Sequence, residues 1–123
     1  MKILFVIGLG SFIGGILRYG MAQGIQSRFL SAYPFGTLSV NLLGCLLIGI
    51  VYGLSEKGNL SPEWRLFLAT GLLGGFTTFS AFSNETVSML RDGQYSPAIL
   101  YVLASVVLGV MATFLGIGIT KLF

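Results

Sequence analysis

The sequence predicts an all-α membrane protein of four transmembrane helices, and three observations carry that prediction. Only 9% of the residues are charged against 54% hydrophobic, whereas a soluble domain carries about 25% charged residues, so a water-solvated surface is excluded. The few charges bound four uncharged runs, at 3–17, 29–55, 66–84 and 93–120. A charge is expensive at the bilayer centre and tends to mark the edge of a span. In a chain of 123 residues, four spans of about 20 residues each leave no room for a separate soluble catalytic domain.

The first helix is expected over about 3–26, because Tyr19 to Ser27 carries no charge beyond Arg18, which can snorkel or pair within the protein, and Arg28 closes the segment. Lys2 followed by fifteen uncharged residues imitates a signal peptide, but three further apolar runs favour a retained helix. The second helix is expected over 34–54, with Pro34 in its first turn. A polar loop, Ser55 to Pro62, follows, and Ser61-Pro62-Glu63 reads as an N-cap, a first-position proline and an early acid.

The third helix is expected over 62–91 with a break near 74–78, since Gly71, Gly74 and Gly75 precede the polar pair Thr77-Thr78. Arg91-Asp92-Gly93 ends it, and the fourth runs over 95–121 with Pro97 in its first turn. Four spans put both termini on one face, which carries Lys2, Lys57, Arg65 and Lys121; the other carries Arg28, Arg91 and, counted there, Arg18. So near a balance under the positive-inside rule permits insertion in both orientations and antiparallel pairing. Glycines recur four apart at Gly10/Gly14, Gly20/Gly24, Gly49/Gly53 and Gly71/Gly75, the small-residue spacing that lets helix backbones approach in lipid.

Several chemistries are excluded. There is no histidine and a single cysteine, Cys45, which reads as a small packing or lipid-facing residue. No nucleophile–base pair or metal cluster can be assembled, so an enzyme is not expected. Net charge is +3 with pI 9.3, but the cations are dispersed and no nucleic-acid partner is expected. What remains is a set of buried neutral donors. Asn41 has two readings, interhelical hydrogen bonding or donation of its amide N–H groups to a desolvating anion in a pathway. Phe79 and Phe82, three apart, share a helix face among Thr77, Thr78, Ser80 and Ser83, and the positive edges of their rings suit an anion. A break there frees backbone carbonyls able to hold a cation.

Three blocks carry a resemblance: Gly14-Gly15 with Arg18-Tyr19, Pro34-x-Gly36-Thr37-Leu38-x-x-Asn41-x-x-Gly44, and Gly74-Gly75-Phe76-Thr77-Thr78-Phe79-Ser80-x-Phe82. Through them nearly the whole chain resembles the Fluc/CrcB family of bacterial fluoride channels. The resemblance implies an antiparallel, dual-topology homodimer in the cytoplasmic (inner) membrane, with two fluoride pores and a structural sodium ion at the centre of the interface. It implies that Asn41 is a pore asparagine, that Phe79 and Phe82 present ring edges to fluoride, and that the backbone carbonyls of Gly74 and Thr77 hold the sodium. Ser80, Ser83 and Thr113 are expected on a polar track, Tyr101 near the phenylalanines, and Arg18 at the pore mouth. Ala81 stands where family members often carry a hydroxyl. The implied function is passive, fluoride-selective export down the electrochemical gradient, conferring fluoride resistance. The alternative, a small multidrug-type proton-coupled exporter, relies on an acid within helix one, and this helix has none.

Overall fold

The computed structural model describes all 123 residues, Met1–Phe123. It contains α1 (Lys2–Gln26), α2 (Phe35–Glu56), α3 (Pro62–Arg65), a π-helical segment (Leu66–Leu73), α4 (Gly74–Phe76), α5 (Phe79–Arg91) and α6 (Tyr95–Thr120). Grouped by length and apolarity these make four membrane-capable helices, the third being the composite Pro62–Arg91. Their exterior confirms the solvent they are built for: Phe12, Ile16, Leu100, Val107 and Phe114 lie exposed along α1 and α6, an apolar surface that belongs in lipid rather than water.

The helix ends follow local chemistry. Ser61 accepts a hydrogen bond from the Trp64 N–H at 3.3 Å, with Pro62 at the first helical position. Pro34 does not enter the first turn of α2: its ψ of 66° is not helical and it stands as the N-cap, so α2 starts at Phe35. α2 extends to Glu56, two residues past the expected end. The Lys57 ammonium then donates to Thr120 O at 2.7 Å and Phe123 O at 2.8 Å, a cation on the carbonyl end of α6. Lys2 pairs with Glu63 at 3.4 Å. These contacts gather both termini and the α2–α3 loop at one end of the bundle, as an even number of passes requires.

Two seams hold the bundle, α2 against α6 and α1 against the π segment. Both depend on absent side chains. A Cβ on Gly14 would collide with Leu72 O and one on Gly75 would stand 2.6 Å from Ser11 O, so α1 lies directly on the backbone of the third span. In the other seam a Cβ on Gly49 would collide with Thr113 O, and one on Gly116 with Leu46 O. Gly20 and Gly24 meet nothing within 4 Å, so that pair has no packing role within the chain.

Candidate ion pathway

Within the third span the backbone is irregular in two different ways. The π segment keeps helical direction with a wider turn, and Ser11 Oγ donates to its Gly71 O at 3.3 Å. Beyond Phe76 the backbone is extended for two residues, Thr77 (φ −92°, ψ 158°) and Thr78 (φ −150°, ψ 117°), before α5 resumes at Phe79. Inside a membrane the polar groups so exposed need partners. Asn41 on α2 supplies them: its Oδ1 accepts the Thr78 N–H at 2.9 Å and its Nδ2 donates to Thr78 O at 3.1 Å. Thr78 Oγ1 accepts the Ala81 N–H at 3.1 Å, capping α5. On the other side, Arg18 Nε donates to Gly75 O at 3.0 Å. The guanidinium therefore turns into the protein rather than snorkelling, because an unpaired carbonyl near the interruption offers it a better partner than the headgroups do.

Beside this interruption lies a cavity of about 370 Å³ with no charged residue in its wall. It gathers Asn41, Gly74, Thr77, Thr78, Phe79 and Phe82, together with Cys45 and Ser105. Asn41 has two N–H groups, and Thr78 O uses one, so the interhelical reading holds for the amide oxygen and one N–H, and one donor stays uncommitted. The Phe79 and Phe82 rings lie 5.5 Å apart and tilted by 46°. Gly44 makes room here, since a Cβ on it would collide with the Thr77 methyl.

Not every expected residue reaches the cavity. Ser80 is exposed and pairs with Thr78 Oγ1 at 3.3 Å. Ser83, Thr113, Tyr101 and Arg18 are absent from its wall. Thr113 Oγ1 lies 3.1 Å from Cys45 O and 3.2 Å from Gly109 O, so its proton is occupied by backbone. Tyr101, fully buried, packs its ring 5.1 Å from that of Phe82 and donates its hydroxyl to Glu85 Oε1 at 2.8 Å. Thr37 donates to the other oxygen, Glu85 Oε2, at 2.8 Å. Glu85 in turn lines a second cavity of about 380 Å³ with Thr37, Gln23, Gln26, Asp92 and Gln94. Phe82, Tyr101 and Glu85 thus form the wall between an uncharged chamber and a polar, acidic one. In the loop beside it, burial pushes the Tyr33 hydroxyl above its usual pKa.

Ser105 is the residue that sequence reasoning missed. Its Oγ is shielded from solvent to below 1 Å² and has no hydrogen-bond partner, an expensive state for a buried hydroxyl. The available signal was spacing: Tyr101, Ser105 and Thr113 fall on the four-residue repeat of one α6 face.

Fold and site define a class, a small multi-pass membrane protein that gathers neutral hydrogen-bond donors and two phenylalanine rings beside an interrupted helix. Comparison with known proteins agrees. The family described as CrcB-like protein, Camphor Resistance (CrcB), matches residues 5–117, and the chain belongs to that family. It is 47% identical over 118 residues to the fluoride-specific ion channel FluC of Parabacteroides distasonis, covering 96% of this chain and 92% of the relative. To the protein of the same name from Chloroflexus aurantiacus it is 48% identical over 124 residues, covering 100% and 98%. A FluC of Thermus thermophilus matches at 47% over 111 residues, covering 90% and 87%.

Proposed function

We propose that the protein is a fluoride-selective channel of the bacterial cytoplasmic membrane, exporting fluoride passively down its electrochemical gradient. The observation that carries this reading is the uncharged cavity whose wall brings Asn41, with one N–H free of protein partners, together with Ser105 and the Phe79–Phe82 pair. Fluoride is small and binds hydrogen-bond donors strongly, so neutral donors and positive ring edges offset its dehydration without trapping it behind a fixed cation. Hydrofluoric acid that enters from acidic surroundings dissociates in the more alkaline cytoplasm, and the channel returns the trapped anion. The proton-coupled exporter finds no support: α1 contains no acidic residue.

The working unit is an antiparallel homodimer of dual topology. Phe79 is 77% exposed in the single chain although it belongs to the pathway, so a second copy is needed to enclose it. The chain's accessible surface of 7711 Å² exceeds the about 6,400 Å² expected for a compact monomer of its mass, which agrees with an uncovered interface. A structural sodium ion fits the same face. Thr77 O accepts no backbone hydrogen bond, and Gly74 O lacks its helical partner because the Thr78 N–H turns to Asn41. Both residues line the cavity, and neutral carbonyls suit a hard monovalent cation. Two oxygens from each copy give four; the ion would brace the interruption and take no part in moving fluoride.

The test is efflux from liposomes followed with a fluoride electrode, with chloride as control. Rapid fluoride release with negligible chloride release is expected. Comparable chloride flux, or no fluoride flux from well-folded protein, rejects the assignment.

A further inference from the structure

α5 starts afresh after the interruption. Thr77 and Thr78 are extended, so no helical ladder carries the rotation of the π segment through to Phe79, and the way α5 turns its side chains is set by its contacts. Two anchors tie its start to α2. The first is the Asn41 amide on the Thr78 peptide. The second is Glu85, whose Oε2 accepts the Thr37 hydroxyl proton at 2.8 Å. Thr37 and Asn41 stand one turn apart on α2, and Phe82 lies between Thr78 and Glu85, three residues before the acid. Glu85 Oε1 also accepts from the Tyr101 hydroxyl of α6 at 2.8 Å, and these two are the only hydrogen bonds that a side chain of α5 makes to another helix. Tyr101 is fully buried with its ring 5.1 Å from that of Phe82, so the residue that Glu85 holds is the one that backs the cavity-lining phenylalanine. The carboxylate itself lines the polar second cavity and is absent from the wall of the uncharged one. A bare negative charge on the pathway would repel an anion; one behind the wall, with a hydroxyl proton on each oxygen, serves as a fastening.

We propose that Glu85 is a positioning residue of the fluoride path: by clasping Thr37 of α2 and Tyr101 of α6 it fixes the rotation of α5, and with it the direction in which the Phe82 ring meets the cavity. The role rests on the fluoride reading above. It accounts for an acid within a membrane-spanning segment of a protein that passes an anion.

The experiment measures fluoride efflux from liposomes at equal amounts of folded, monodisperse protein. Glu85→Ala removes both acceptors and is expected to lower the rate about tenfold, the scale of one hydrogen bond to a charged group carried into the barrier. Glu85→Gln keeps an acceptor for one hydroxyl and offers an N–H to the oxygen of the other, so it stays within about threefold of the unmodified chain. Were the charge alone at work, alanine and glutamine would act alike, and equal rates in the two variants overturn the proposal. The deciding readout is coupling to the ring. In a Phe82→Ile background, where no ring is left to aim, Glu85→Ala lowers the rate less than about twofold further. A further loss there as large as in the unmodified background marks a role in stability alone and overturns the proposal. Should Glu85→Ala not fold, Tyr101→Phe keeps the ring and releases its hydroxyl from the clasp, and full fluoride efflux in that variant overturns the role equally. An unmodified chain that passes no fluoride at all overturns the channel reading, and this role with it.

Discussion

The α2–α6 seam is built in two ways along its length, and the contrast shows how one pair of helices both holds a membrane protein together and opens it to an ion. Toward Lys57, the backbones touch through Gly49 and Gly116, and hydroxyls are spent on carbonyls, Thr113 on Cys45 O or Gly109 O and Thr120 on Ile117 O at 2.6 Å. Toward Asn41 both helices border the cavity, and Ser105 and one Asn41 N–H keep donors without protein partners. Satisfied polar groups stabilise; unsatisfied ones at a cavity cost stability and confer binding.

The sharpest break of this comparison is at Asn41. Replacement by leucine removes both bonds to Thr78 and leaves that peptide unsatisfied, a loss of about 2–5 kcal/mol; we expect fluoride efflux to vanish and the thermal midpoint to fall together. Next are the rings. Phe79→Ile or Phe82→Ile should cut efflux about tenfold or more, equivalent to about 1.4 kcal/mol or more in the barrier, while gel filtration shows the same oligomeric state as the unmodified chain. Unchanged efflux in both variants would remove the ring-edge argument. Gly49→Ala probes the closed half and should behave oppositely. The added methyl strikes Thr113 O and costs about 1–3 kcal/mol of stability, seen as a lower melting temperature, with efflux per folded channel nearly unchanged. The smallest effect is expected at Ser80, which is exposed and outside the cavity wall: Ser80→Ala should conduct within about twofold of the unmodified chain, since only an exposed hydroxyl contact is lost.

Much of this contrast was legible before any coordinates. Charge spacing revealed the four spans, and glycine spacing revealed close helix packing without saying which helices meet, because both signals are local and lipid leaves few alternatives. Asn41 stood out as an amide in an apolar run, and Phe79 and Phe82 as a pair set among the hydroxyls of Thr77, Thr78, Ser80 and Ser83. The π segment gave no signal, since LFLATGLL satisfies an α-helix equally well. Whether Arg18 snorkels or pairs within the protein stayed open in the sequence because its carbonyl partner lies 57 positions away. Ser105 was overlooked and Thr113 favoured for a related reason: sequence shows that a hydroxyl faces inward, but whether its proton is already committed depends on which carbonyl of a neighbouring helix comes within reach.

The most direct test of the central claim, that uncharged donors beside the Thr77–Thr78 interruption form the fluoride path, is liposome efflux of the unmodified chain against Asn41→Asp. Aspartate is nearly isosteric and still accepts the Thr78 N–H, but it loses both amide donors and adds a negative charge to the wall. The account predicts a folded dimer that passes neither fluoride nor chloride, beside an unmodified channel that passes fluoride only. Fluoride efflux through Asn41→Asp at the rate of the unmodified channel would contradict it.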